Sequence, residues 1–412
     1  MSERFDKVRN GDRGRYVATA LLVVMGVFAF CASQAGASAI LPFEWRLSGP
    51  LMRFSGVASS SDGAIAFAVP DPSCGGNPGA RGFRSMDHGA TWSEMTSMPE
   101  LFWRSVDSSA SGQIVFATGS DCAAGVLTQS AVYRSTDFGA TWSVARAFDP
   151  SAPGTVYGDV STTSDGQKVV VGSNAGVVYS NDAGSTWTAV DPVPNLVASS
   201  VAVSGDGTRI MVSESYGPIY SSTSAGATWS VSDPNPRNWS NVELSTDGQS
   251  ALAVATRQDG LVDGGAFVSH DGGGTWSDPG LNSSFVDIQF ATGAMSPDGN
   301  TMIASSYYSV PRISTDGGAT WSVLPTYIAA VINEGWTAFA VSDPDVTNSL
   351  NPIESRVFAV TENHYIARLD FPELFGLLPE TGSEVPIASA VFVTLAGFLL
   401  VSVATRVRIK GR

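Results

Sequence analysis

Lysine is almost missing from this chain: between residues 40 and 381 Lys168 is the only one. The same span holds 14 basic and 34 acidic residues, a net charge near −20. That balance excludes general affinity for nucleic acid or for an anionic membrane surface. Cysteine is scarce too, at positions 31, 74 and 122, and the three histidines (His88, His270, His364) are scattered. No His/Cys cluster with metal-ligand spacing can be assembled from them. There is no phosphate-binding glycine loop, and the many glycines sit in turns. Long apolar runs are confined to the two ends.

What is present is a repeat. The octapeptides SMDHGATW (85–92), STDFGATW (135–142), SNDAGSTW (180–187), STSAGATW (222–229), SHDGGGTW (269–276) and STDGGATW (314–321) end in Trp92, Trp142, Trp187, Trp229, Trp276 and Trp321. The steps are 50, 45, 42, 47 and 45 residues, which predicts one supersecondary unit per repeat. Each copy lies between short β-branched and aromatic runs, as a hairpin turn does. The carboxylates of Asp87, Asp137, Asp182, Asp271 and Asp316 are placed to accept backbone N–H bonds within the turn. The shared glycine supplies a conformation that side-chain-bearing residues resist, and the Trp lays an apolar face over the hairpin. The fourth copy has Ser224 in place of Asp. These residues resemble the Asp box, or BNR repeat, of sialidases and other β-propellers, where the box is a structural turn away from the active site.

Each repeat opens with an aromatic residue followed three later by a branched or aromatic one: Phe54/Val57, Trp103/Val106, Tyr157/Val160, Trp239/Val242, Phe285/Ile288 and Trp336/Phe339, with Ala198/Val201 in the fourth. A polar turn, typically Asp-Gly, comes next, then an apolar strand, a variable loop, a strand ending in the box, and a short strand after the Trp. This pattern predicts an all-β chain, a seven-bladed β-propeller of four-stranded antiparallel blades. The seventh unit lacks a box and a fourth strand. Residues 43–47 (FEWRL) look like the strand that follows each box, and are expected to complete that blade and close the ring.

Both ends read as targeting segments around a propeller at 40–371. Residues 1–39 carry an Arg/Lys-rich start, an apolar run and a small-residue site at 37–39, the pattern of a signal peptide. Phe30 before Cys31 is too bulky for a lipoprotein signal. Cys74 and Cys122 lie 18 and 20 residues before the Trp of their own repeats, and in an exported protein such a pair predicts a disulfide between neighbouring blades. After a short linker (372–377) come Leu378, Pro379, Glu380, Thr381 and Gly382, an apolar run at 385–404 long enough for a transmembrane helix, and a basic tail. The segment 378–412 resembles the LPxTG sorting signal of Gram-positive surface proteins. That resemblance implies an extracellular, wall-anchored protein whose partners are a sortase and a peptidoglycan precursor, the membrane being met only through the C-terminal helix before sorting.

Function is less marked. The sialidase set of three arginines, a Tyr nucleophile with its Glu, and an Asp acid/base has no counterpart here: the start reads FEWRLSGPLMRF, and Tyr307-Tyr308 precede a box. The reading is a binding or scaffolding module for a surface glycan or protein, with an exo-acting, sialidase-like glycoside hydrolase as the alternative. Arg104, Asp159, Asn241 and Asp287 are candidate channel-mouth residues. No cofactor is implied except a candidate calcium: Asp343, Asp345, Thr347, Asn351 and Glu354 have the spacing of a calcium loop.

Overall fold

The computed structural model describes residues 46–372, apart from 71–73, 75–78, 124, 153, 191–195, 257–263, 282–290, 307–309, 325–334, 344–352 and 362–365. The chain divides into two compact units, Met1–Phe371 and Pro372–Arg412, the first of which carries the strands. The described residues form only strands, all paired antiparallel, with no helix among them.

β1 (Arg46–Leu47) belongs to the last sheet, and the first sheet begins after it with β2 (Phe54–Ser59), β3 (Ala66–Pro70), β4 (Phe83–Ser85) and β5 (Ser93–Glu94). β3 is buried along its whole length because other sheets cover both of its faces, whereas β5 is exposed. Between β2 and β3, Asp62 accepts bonds from the Ser60 hydroxyl (2.6 Å) and the Ala64 N–H (2.9 Å), and Gly63 takes a φ of 64°. The second sheet has β6 (Phe102–Ser108), β7 (Val115–Ala123), β8 (Val126–Ser135) and β9 (Ser143–Arg146). The third has β10 (Tyr157–Thr162), β11 (Val169–Ser173), β12 (Gly176–Ser180) and β13 (Thr188–Val190).

The fourth sheet departs from the pattern. It has five strands: β14 (Ala198–Val203), β15 (Ile210–Ser222), β16 (Ser230–Leu244), β17 (Ala251–Thr256) and β18 (Gly265–Ser269). The fifth sheet comprises β19 (Ala291–Met295), β20 (Met302–Ser306), β21 (Arg312–Ser314) and β22 (Ser322–Val323). The sixth comprises β23 (Trp336–Val341), β24 (Ile353–Thr361), β25 (Ile366–Pro372) and β1, with Arg46 opposite Arg368 and Leu47 opposite Ala367. Apolar cores fill the spaces between successive sheets. The box tryptophans pack against them, for example Trp142 against the core that holds Phe67 and Trp103.

The expectation of seven four-stranded blades is therefore corrected to a propeller of six sheets. β16 is the reason. It leaves the outer position beside β15, where Asp233 is opposite Ile219, and continues without a turn to the inner position beside β17, where Val242 is opposite Ala253. Pro234 and Pro236 lie in this crossing, where an extended chain tolerates proline. Buried Asp233 pins it by accepting from the Asn235 N–H (2.9 Å) and pairing with Arg237 (2.8 Å). The fourth and fifth repeats so share one sheet, and among the described residues the fifth keeps a single outer bridge, Val268 to Ser277. As for the expected transmembrane helix, no helix of the described residues is long and apolar enough to cross a membrane, and the run at 385–404 lies outside them.

Two sets of bonds hold the sheets in a ring. On the Asp-Gly side each turn bonds the next: Ser61 N–H to Ala110 O, Ala110 to Ser164, Ser164 to Gly205, Gly205 to Thr246 and Thr246 to Pro297, at 2.7–3.1 Å. Pro297 has no N–H to pass the belt onward. Instead the Asp298 N–H donates to the Asp343 carboxylate (2.9 Å), and the Asp343 N–H donates to Ser61 O (2.6 Å), closing the circle. Farther out, a cation from one sheet donates to a carbonyl at the fourth position of the next box. Arg368 bonds His88 O, Arg84 bonds Phe138 O, Arg134 bonds Ala183 O, Lys168 bonds Ala225 O and Arg209 bonds Gly272 O. All five acceptors belong to residues of positive φ (52–70°), which turn the carbonyl toward the neighbouring sheet.

Both the belt and the boxes bear on stability. Asp343→Ala removes the acceptor of the solvent-exposed Asp298 N–H and is expected to cost about 0.5–1.5 kcal/mol in denaturant unfolding, whereas Asp343→Asn keeps an acceptor and recovers most of it. Ser224→Asp, which gives the fourth box the acceptor that the others possess, is expected to stabilise by about 0.5–1 kcal/mol.

Candidate functional site

The boxes behave as structural turns. In the first, Asp87 accepts from the Thr91 N–H (2.8 Å), the Thr91 hydroxyl (2.6 Å) and the Ser85 hydroxyl (2.8 Å), while the Gly89 N–H donates to Ser85 Oγ (2.8 Å). Asp137, Asp182, Asp271 and Asp316 repeat this arrangement. Ser224, in the carboxylate's place, keeps the bond from the Thr228 N–H (2.8 Å). The hydroxyl and N–H of Thr186 hold the exposed Asp182 carboxyl down to about 2. The left-handed conformation begins one residue before the shared glycine, at His88, Phe138, Ala183 and Ala225. Cys74 and Cys122 form a disulfide, with Cα atoms 5.7 Å apart, that ties the β3–β4 connection to β7.

Chemistry concentrates in the central channel, a cavity of about 570 Å³ walled by β2, β6, β10, β14, the C-terminal part of β16, β19 and β23. The described inner strands with an aromatic opening residue, and β14 with Ala198, have a register shift just after it, for example between Trp103 and Ser105 or between Trp239 and Asn241. Such a bulge re-aims the side chains beyond it. Arg104, exposed at the bulge of β6, is the only cation lining the cavity among the described residues. Asp159 is fully engaged: Ser105 Oγ (2.8 Å) and Ser200 Oγ (2.7 Å) donate to it from flanking strands, and the Val160 and Val201 N–H groups add 3.0 Å bonds. It staples β6, β10 and β14 together. Asn241 donates to Glu243 Oε1 (3.1 Å), and its own carbonyl oxygen is buried with no partner among the described residues.

Two further carboxyls join these, Asp107 on β6 and Glu243 on β16, each four residues after the opening aromatic. Both residues are half-buried in the channel wall. Burial pushes Glu243 up to about 8, helped by the charges of Asp159 and Asp107. Burial likewise pushes Asp107 up to about 7, against bonds from the Thr162 and Ser108 N–H groups, and it raises Asp159. Asp343, at the floor, is pushed to about 6 by burial and by Asp298.

Of the expected site residues, the fold brings Arg104, Asp159 and Asn241 to one channel. Asp287 lies outside the described residues. The inner strand of that repeat is β19, whose channel-lining polar residue is Thr292. Asp343 serves the belt. Asp345, Thr347 and Asn351 lie outside the described residues, and Glu354 falls in β24. Among the described residues no group of three or more His, Cys, Asp or Glu is arranged to hold a metal. Leu378, Pro379, Glu380, Thr381 and Gly382 lie outside as well. Sequence reasoning misses Asp107 and Glu243, although strand alternation beyond the bulge puts them on the same face as Ser105 and Asn241.

A family model described as BNR/Asp-box repeat matches residues 312–323. The chain is similar to a xyloglucanase from a Paenibacillus species, 32% identical over a stretch covering 27% of this chain and 13% of that protein. Among solved structures it is similar to the GH74 xyloglucanase of Xanthomonas campestris, with a TM-score of 0.57 and 17% identity, over 79% of this chain and 53% of that one. It is also similar to YCF48 bound to D1 peptide, with a TM-score of 0.52 and 17% identity, over 81% of this chain and 98% of that one. The chain thus spans about half the length of the xyloglucanase structure, and these likenesses establish the fold, an Asp-box β-propeller.

The enclosed carboxyls set a pH dependence. A carboxyl raised in the folded state stabilises fully below its unfolded value, near pH 4, and loses that contribution as pH rises through the folded value. The box aspartates act oppositely and lose theirs as pH falls through about 2. Thermal unfolding is therefore expected at higher temperature at pH 5 than at pH 8.5, with a flatter profile in Glu243→Gln. Stability that rises over this interval would count against the assignment.

Proposed function

We propose that the protein is a carbohydrate-directed propeller of the glycoside hydrolase kind, acting at the end of a glucan-type chain admitted to the channel. The carrying observation is the pair of enclosed carboxyls, Asp107 and Glu243, in a polar cavity whose size falls within the range of small-molecule sites, about 300–1,000 Å³. Glycoside hydrolysis needs one carboxyl that retains its proton at working pH and a second that works as the carboxylate. Two backbone N–H groups, of Ser108 (2.8 Å) and Thr162 (2.7 Å), donate to the Asp107 oxygens and favour its ionised form, which fits the carboxylate, whereas Glu243 fits the acid. The stretch of 32% identity with a xyloglucanase supports this substrate class. A sialidase is not favoured, since Arg104 is the one arginine among the described residues of the channel wall.

A second reading, a binding module, is favoured by the YCF48 structure, which the chain covers almost entirely and which is bound to a peptide. In either case we assign the chain to the exterior of the cell, attached to the wall through Thr381, on the strength of the LPETG pattern and its basic tail.

Xyloglucan incubated with the full chain and assayed for new reducing ends decides between the two. Release that falls at least about 100-fold in Glu243→Gln, with unfolding behaviour retained, is the expected result. Retention of xyloglucan in an affinity gel without any release replaces the hydrolase with the binding module.

A further inference from the structure

A second cavity, about 320 Å³, opens away from the channel, between the crossing in β16 and the fifth box. It exists where the repeat is broken. In the second, third, fourth and sixth boxes the Trp indole N–H donates to its own box glycine, as Trp187 does to Gly184 O (3.0 Å) and Trp321 to Gly318 O (2.9 Å). In the fifth box, as in the first, where Trp92 donates to Ser48 Oγ (3.0 Å), the indole turns to the neighbouring strand: Trp276 donates to Ser232 Oγ (3.0 Å), and the Ser232 hydroxyl takes the Gly273 carbonyl. The indole is anchored to the neighbouring strand and forms one side of the cavity.

The rest of the lining carries one guanidinium, Arg237, and two carboxylates, Asp233 and Asp278. Arg237, with 12% of its side chain exposed, pairs with Asp233 (2.8 Å) and lies over Phe267, its guanidinium 4.3 Å from the ring centre. Its Nε is buried and has no acceptor among the described residues. The Nε atoms of Arg134 and Arg368 share this state, so it marks the buried arginines of the sheets and not a ligand. Asn235, exposed on the rim, gives its amide N–H to Asp233, which leaves its carbonyl turned to other donors. Asp278 completes the polar lining.

We propose that this cavity is a carbohydrate subsite that takes one neutral pyranose unit of a chain. Fit points to that class. Asp233 already neutralises Arg237, so an anion gains no free cation here. A neutral polyol matches the set: an apolar sugar face lies against the Trp276 indole, and sugar hydroxyls donate to Asn235 and Asp278 on the lining. The subsite rests on the carbohydrate reading of the protein but not on catalysis in the channel. It would hold a distant stretch or a branch of the polymer whose end is cut elsewhere.

The test uses the full chain labelled with 5-fluorotryptophan and titrated with a xyloglucan heptasaccharide, the Trp276 fluorine resonance being assigned from Trp276→Phe. The expected result is a saturable shift of that resonance, with the dissociation constant raised about tenfold in Asn235→Ala, an exposed substitution that leaves the fold intact. A resonance that stays still at millimolar sugar overturns the subsite, as does a shift identical in Asn235→Ala. Hydrolysis of xyloglucan with Trp276 silent removes the subsite alone. A Trp276 shift without hydrolysis retains the subsite and removes the channel reading.

Discussion

The belt of hydrogen bonds that runs from turn to turn beneath the channel is the constraint on which the ring depends. A propeller has no single core, since its apolar contacts are divided among the spaces between sheets. Something has to fix every sheet at one radius. Backbone donors at Ser61, Ala110, Ser164, Gly205 and Thr246 do so with local turns, and the one interruption, at Pro297, is bridged by a side chain. Asp343 is therefore a backbone substitute. Its carboxylate stands where an amide carbonyl stands elsewhere.

The acidic composition has a structural counterpart. Five of the few cations donate to carbonyls of the next box, and burial there lowers the affinity of Lys168 for its proton. The third sheet shows how strictly this is kept. Tyr179 occupies the place held by Arg84 and Arg134 in earlier sheets, and Lys168 reaches over its ring, 5.2 Å away, to make the missing bond. With five of its cations turned to these joints, fewer are left to offset the acidic residues, in keeping with the low pI.

Much of this architecture is legible in the sequence. The boxes, the Asp-Gly turns, the N-terminal strand in the last sheet and the Cys74–Cys122 pair depend on residues a few positions apart or on equivalent places in the repeat. The fused sheet is not legible, because Pro234 and Pro236 look like the end of a strand and only the partner strand shows that the chain stays extended through them. Asp107 and Glu243 escape for a related reason: the bulge after each aromatic shifts the alternation by one, and no local residue marks it. In the sixth repeat Phe285 is the conspicuous opening aromatic, yet the stretch adjoining the turn at Pro297 is the one that builds β19.

β16 also decides where the ring can be cut. A propeller of interchangeable blades tolerates new termini at any junction, because each junction is a loop. Here one junction is a continuous strand carrying an ion pair, an aromatic stack and the inner wall of the channel. The seam between β25 and β1 pairs, among the described residues, Arg46 with Arg368 and Leu47 with Ala367, and the Ser48 N–H bonds Ile366 O. The noncovalent closure of the ring falls at that seam. A circular permutant opened within β16 would move the closure to a joint that carries an ion pair and part of the channel wall.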